Sequence, residues 1–144
     1  MAIDLHSTAS TRLAADGQRY TARRRALVDL LAELDQPLSI PQLLERRAGL
    51  AQSSVYRNLA VLERAGVVHR IQSSDEFARY ELAEDLTEHH HHLICSSCGD
   101  VTDFTVPDDV EHDLEGALAR VAKRTGFEVH HHRLDLVGTC PACR

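Results

Sequence analysis

The stretch "LAQSSVYRNLAVLERAGVVHRIQ", residues 50–72, decides the fold. Val55, Leu59 and Leu62 fall on one stripe of a helical period, so the spacing predicts a helix. Ser53 or Ser54 is the expected N-cap, and Gly66 stands where a left-handed residue ends a helix. "VVHRIQ" and "FARYEL" then read as strands joined by Ser73, Ser74, Asp75 and Glu76, which is a hairpin signal.

Two further helices precede this one. In "PLSIPQLLERRAG", residues 37–49, Ser39 is a cap, Pro41 fits the first turn, Leu43 and Leu44 face inward and Gly49 ends the segment. In "GQRYTARRRALVDLLAEL", residues 17–34, Thr21 is the expected cap, following a loose start. Three short helices with tight connections plus a hairpin form the winged-helix pattern. In such a module the third helix enters the major groove of DNA with its N-terminal side chains nearest the bases. Here those are Gln52, Ser53, Ser54, Tyr56 and Arg57, flanked by Arg19, Arg23, Arg24 and Arg25 as backbone contacts. The plainer reading makes the arginines a solvated face and Tyr56 a core residue. As a set, the residues favour DNA.

Charge divides the chain the same way. Residues 1–70 carry ten Arg against seven Asp and Glu; residues 71–144 carry six Lys and Arg against fifteen acids. The overall net charge of -6 therefore hides a basic first half suited to phosphates. The acidic half holds all four cysteines and eight of the ten histidines, which suits a cation. No apolar run approaches the roughly 18 residues of a membrane span. The first residues have no apolar leader segment, so a cytoplasmic protein is expected. There, paired CxxC motifs point to metal rather than disulfides.

Beyond an acidic connector, "LAEDLTE", a strand is expected over His89–Cys95, then a CxxCG knuckle and a strand over Val101–Thr105. A helix follows, with Asp108 and Asp109 at its start, a stripe of Val110, Leu114, Leu118 and Val121, and Gly126 as its stop. The strand "FEVHHHRLDLVG" and a second knuckle, "CPAC", close a small α/β module. Cys95, Cys98, Cys140 and Cys143 have the pairing that brings four thiolates onto a structural Zn²⁺. A thioredoxin-type redox pair would leave the second knuckle unexplained.

"HHHH", residues 89–92, is internal and runs into an apolar strand, unlike a purification tag. Alternation along a strand puts His89 and His91 on one face and His90 and His92 on the other. The same parity pairs His130 with His132 and turns His131 away. Carboxylates available to such imidazoles are Glu81, Asp103 and Glu111, a donor mix that suits Zn²⁺, Fe²⁺, Mn²⁺ or Ni²⁺.

At this point the chain resembles the ferric uptake regulator family of metal-dependent bacterial repressors, over roughly residues 12–144. The motifs that carry the resemblance are "GQRYTARR", "SSVYRNLAVLERAGVV", "RYEL", "HHHHLICSSCG" and "HHRLDLVGTCPAC". It implies an α+β fold: a winged helix-turn-helix DNA-binding domain over residues 1–83, a hinge over 84–88, and an α/β metal-binding dimerisation domain over 89–144. It implies a homodimer that grips a palindromic double-stranded operator when metal sets the angle between its two heads. Carried over by position, the structural zinc falls on the four cysteines. The sensory site falls on Glu81, His90, His92 and Asp103. An additional site falls on His89, His91, Glu111 and His132, with Asp109 and His112 as alternatives to Glu111.

One departure concerns the metal. Iron and peroxide sensors of the family take a ligand from the start of the second helix, and Gln36, Pro37, Leu38 and Ser39 supply none. Zinc sensors draw a wing carboxylate instead, for which Asp75 is available. They also often carry a cysteine after the wing, absent from "YELAED". The regulatory cation is therefore expected to be Zn²⁺, with Fe²⁺, and then Mn²⁺, Ni²⁺ or peroxide sensing, as alternatives. An enzyme is not expected: a zinc hydrolase needs an open metal position beside a general base, typically within HExxH, and the chain has no such motif. A metal storage or chaperone protein explains the histidines but not the winged helix.

Overall fold

The computed structural model describes residues 4–144; residues 1–3, which open the span expected for the winged-helix domain, lie outside the described residues. The chain is α+β. It runs α1 (Leu5–Ala15), α2 (Ala22–Glu33), α3 (Ile40–Arg46), α4 (Gln52–Arg64), β1 (Val68–Ile71) and β2 (Arg79–Leu82). A 3-10 turn at Glu84–Leu86 leads to β3 (His91–Cys95), β4 (Val101–Phe104), α5 (Asp108–Thr125) and β5 (Asp135–Gly138).

The caps explain where the helices begin. The Thr21 hydroxyl accepts from the Arg24 amide. Ser39 and Gln42 form a reciprocal capping box, with Pro41 in the first turn. Ser39 is buried, so we expect Ser39→Ala to lower unfolding stability by about 1–2 kcal/mol in a urea titration. A change within error would mean that water replaces the cap. α4 corrects the expected cap: its cap position is Ala51, two or three residues earlier, with no side-chain cap bond. Ser54 is buried inside that first turn, where its hydroxyl accepts from the Asn58 amide at 3.1 Å.

The loose N-terminal start is also corrected, because α1 is a regular helix capped by Asp4. Its thin stripe of Leu5, Ala9 and Leu13 packs against the core. That core unites Leu27, Val28, Leu43, Leu59 and Leu62 from the next three helices with Val68 and Leu82 of the hairpin. Each fully buried leucine contributes about 1.5–3 kcal/mol. The cluster lies wholly within the first unit.

The second unit is a three-stranded sheet in the order β4-β3-β5, antiparallel on one side and parallel on the other. Both histidine-bearing strands are shorter than expected. β3 starts at His91, opposite Phe104, the last residue of β4. His89 and His90 precede it, the latter tied to the Glu88 carbonyl at 2.7 Å. β5 pairs with β3 only from His92 and Asp135 onward, so residues 127–133 have no strand to lie against. His130, His131 and His132 are therefore in irregular backbone, and strand parity does not govern them.

The wing tip rests on the first knuckle. Ser73 donates to the Gly99 carbonyl at 2.5 Å and Ser74 to the Cys95 carbonyl at 2.6 Å. Gly99 has φ +80°, and a Cβ there would meet the Asp75 carboxylate at 2.5 Å, so this approach requires glycine.

Candidate metal centres and nucleic-acid face

Three groups of side chains each bring their candidate ligand atoms within 4.8 Å of one another. The first is Cys95, Cys98, Cys140 and Cys143. Cys98 Sγ and Cys140 Sγ are 3.8 Å apart, well beyond a disulfide bond of about 2.05 Å. A tetrahedral ion bound at about 2.3 Å spaces its sulfurs by about 3.8 Å. Three backbone N–H groups, from Cys98, Cys140 and Ser97, bring the Cys95 thiol down to about 6. Crowding by Cys140 and Cys98 pushes the Cys143 thiol up to about 12. Four thiolates at this spacing need a cation, and the set fits Zn²⁺.

The second group is Glu81, His90, His92 and Asp103. Strand register builds it: His92 faces Asp103 across the β3–β4 pair, while Glu81 comes from β2 of the hairpin. Glu81 Oε2 lies 3.0 Å from His90 Nε2 and Oε1 lies 2.9 Å from His92 Nε2. Burial pushes the Glu81 carboxyl up. Hydrogen bonds from His69 and His92, with the charge of the His92 and His90 rings, outweigh it and bring the group to about 2. Asp103 moves the other way, raised by burial and by Glu81. Its buried Oδ1 has no hydrogen-bond partner, although it sits 3.5 Å from His92 Nε2. An orphaned carboxylate oxygen aimed at two imidazoles and a carboxylate is the mark of a cation site.

The third group is His89, His91, Glu111 and His132. All three imidazoles converge on one carboxylate: His89 Nε2 at 2.9 Å, His91 Nε2 at 2.8 Å and His132 Nε2 at 2.7 Å. The hydrogen bond from His91 is the largest influence on Glu111 and, with those from His132 and His89, brings it down to about 2. Asp109 and His112, the alternatives to Glu111, are exposed on α5 and outside the group. Glu111 lies in the first turn of α5, three residues beyond Asp108, which points it back at β3.

Asp75 is not brought to the second group. Its carboxylate forms a two-pronged ion pair with the buried Arg79 guanidinium, at 2.7 and 3.0 Å, which holds it well below the usual carboxylate range. The residue that approaches Glu81 from the wing is instead His69, its cross-strand partner in β1, at 3.7 Å. Hairpin register is the signal that finds it: counting back from the turn sets position 69 opposite 81. Glu84 is a second residue that sequence reasoning missed, in contact with His89 Nδ1 from the 3-10 turn.

On the expected nucleic-acid face, Gln52, Ser53 and Arg57 are exposed along α4, and Tyr56 is 46 % exposed rather than core. Arg19, Arg23 and Arg25 are exposed as well, Arg25 lying over the Tyr20 ring at 5.9 Å. Ser54 and Arg24 do not share that face. Arg24 reaches inward, donating to Asn58 Oδ1 at 3.0 Å, Gln18 Oε1 at 3.2 Å and the Arg19 carbonyl at 2.7 Å. With Ser54 bonded to the same Asn58, these side chains brace α2 against α4. Among the described residues, no helix is long and apolar enough to cross a membrane.

Residues 15–137 match the sequence pattern of the family described as Ferric uptake regulator family. The chain is 35% identical over 133 residues to the peroxide operon regulator of Bacillus subtilis, covering 88% of this chain and 85% of that protein. It is 30% identical over 138 residues to the ferric uptake regulation protein of Neisseria meningitidis, covering 92% and 91%. The Helicobacter pylori ferric uptake regulator Fur, a structure described as revealing three functional metal-binding sites, superposes with a TM-score of 0.74. It shares 25% identity, over 99% of this chain and 95% of that one. With that match over most of its length, and with its winged helix and paired knuckles, the chain belongs to the ferric uptake regulator family of metal-responsive transcriptional regulators.

Proposed function

We propose that this chain is a repressor that binds a palindromic operator as a homodimer when a divalent cation, Zn²⁺ in the first reading, fills the Glu81, His90, His92 and Asp103 site. The observation that carries the proposal is the placing of those ligands. Glu81 lies in β2, the last strand of the first unit, while the other three belong to the second. A bound cation would join them across residues 84–88, the proposed hinge between domains spanning 1–83 and 89–144. Restraint there removes head orientations that do not set two recognition helices one helical turn apart. Cation and operator must then favour each other equally.

Support for a dimer comes from the second unit. β5 is an exposed edge strand, and α5 buries none of its own residues. Phe127, Val129, Leu136 and Val137 are exposed apolar side chains on and just before that edge strand, the kind of surface an interface covers. Support for DNA comes from α4, whose first-turn amides carry no side-chain cap and whose exposed Tyr56 and Arg57 flank them. Arg57→Ala should weaken binding across sequences and reduce the salt slope by about one per subunit. An unchanged slope would remove Arg57 from the contact.

The cysteine set would hold structural zinc, and the third group an additional cation. The second group has two carboxylates among its four ligands, a harder donor set than the third group, which favours Fe²⁺ or Mn²⁺ as the second reading. A gel shift on DNA from upstream of its own gene, with zinc-loaded protein titrated with Zn²⁺, Fe²⁺, Mn²⁺ and Ni²⁺, tests both. Sequence-specific binding that rises with one cation supports the repressor. Binding indifferent to every cation overturns the metal-dependent switch, and no sequence-specific binding with any cation overturns the repressor in favour of a storage or chaperone role.

A further inference from the structure

We infer that Glu84, in the hinge turn, is the positioning residue of the third group, and that it ties occupancy of that group to the segment joining the two units. The inference rests on reading His89, His91, Glu111 and His132 as a cation site. The His89 ring is held on both sides by carboxylates: Glu84 Oε1 at Nδ1 and Glu111 Oε1 at Nε2. A neutral imidazole has one N–H donor and one lone pair. Donating Nδ1–H to Glu84 leaves the Nε2 lone pair for a bound cation, which would take the place of the proton that Nε2 shares with Glu111 beside His91 and His132. Such outer carboxylates orient metal-binding histidines and raise their basicity.

His89 needs this help more than its neighbours. It lies ahead of β3 in irregular backbone and is exposed, whereas His91 is in the strand and buried. No strand pairing sets its ring; the Glu84 and Glu111 contacts do.

Glu84 is also joined to the DNA-binding head. It opens the 3-10 turn closed by the Leu86 amide on the Ala83 carbonyl and the Thr87 amide on the Glu84 carbonyl. Its neighbour Asp85 pairs with Arg12 of α1, and Arg12 Nη1 donates onward to the Gly66 carbonyl at 2.7 Å, just beyond the recognition helix. The two histidine groups thus each take one acid from the same short stretch: Glu81 for one, Glu84 for the other. A cavity of about 460 Å³ lined by Glu81, Glu84, His90, His92 and His132 lies between them.

The test uses full-length, zinc-loaded protein carrying His90→Ala and His92→Ala, which leaves the third group as the remaining histidine site. Co²⁺ is titrated and its d–d absorption followed, with hydrogen exchange of residues 83–88 measured with and without Co²⁺. Adding Glu84→Ala should weaken Co²⁺ binding about tenfold and abolish the Co²⁺-induced protection. Glu84→Gln, which keeps an acceptor for Nδ1–H without the charge, should fall between. Undiminished affinity in both variants, or protection that persists in Glu84→Ala, overturns the inference. His89→Ala separates the two levels: if it too leaves Co²⁺ binding unchanged, the cation site itself is wrongly read. If His89→Ala loses binding and both Glu84 variants keep it, only the role of Glu84 falls.

Discussion

A Cys95→Ser chain is expected to lose its zinc and, with it, the folded second unit, while the winged helix stays folded. The asymmetry follows from where the apolar burial lies. The buried hydrophobic cluster belongs to residues of the first unit and its hairpin, from Ala9 to Leu82. In the second unit the buried apolar side chains are few, chiefly Ile94 and Val101, with His91 and His92 occupying interior positions. A core in a unit below about 70 residues rarely supplies more than about 3–5 kcal/mol and is commonly stapled by a metal. Structural zinc contributes about 10–16 kcal/mol in zinc-finger peptides, so its loss exceeds anything this sheet can offset.

Cys95 is the most consequential of the four because it ends β3 and accepts three backbone N–H groups, two from its own knuckle and one from Cys140. A serine hydroxyl at this position is a poor zinc ligand and leaves the other three thiols short of a tetrahedron. Metal analysis should find less than one zinc per chain. Hydrogen exchange should show protection lost over residues 91–104 and retained in α2 and α4. Light scattering should report a monomer. A zinc-free Cys95→Ser protein that remains a folded dimer would remove the cysteine set from its structural role.

The legible parts of this molecule are those set by neighbours in sequence. Thr21, Ser39 and Gly126 mark helix ends because a cap is a local bond or a local dihedral; Gly126 has the expected left-handed φ of 79°. Two CxxC pairs state a thiolate site outright, and alternation alone sorts His91 from His92. What stayed hidden was set by partners distant in the chain. The length of β5 depends on where β3 begins, so a twelve-residue strand prediction shrinks to Asp135–Gly138. Asp75 has the chemistry of a cation ligand, but Arg79, four residues on, occupies its carboxylate. Ser54 and Arg24 have the chemistry of DNA contacts, but Asn58 claims both from inside. α1 escaped because Leu5, Ala9 and Leu13 form a narrow stripe in a mostly polar segment.

Replacing His90 by alanine should abolish metal-stimulated operator binding without unfolding the protein. His90 precedes β3 and makes no ladder bond, so its removal leaves the sheet pairing of His92 with Asp103 in place. The variant keeps Glu81, His92 and Asp103, but those three no longer surround a cation, because Glu81 Oε2 loses its partner at 3.0 Å. Couplings between distant binding sites are typically about 1–3 kcal/mol, or roughly 5–150-fold in affinity, and that whole factor is what the variant should forfeit. Fluorescence anisotropy on DNA from upstream of its own gene should give one affinity with and without added cation, equal to that of the zinc-loaded parent without added cation. Zinc content should stay at one per chain, since the cysteine set is untouched. Linkage adds a second readout: DNA should tighten cation binding in the parent and leave it unaltered in the variant. Asp75→Ala is the contrasting control. Its ion pair with Arg79 braces the wing and lies outside the cation group, so its cation dependence should survive. If His90→Ala kept the parent's cation dependence while Asp75→Ala lost it, the wing carboxylate would be the ligand. The hinge would then be read through the wing tip instead of through Glu81.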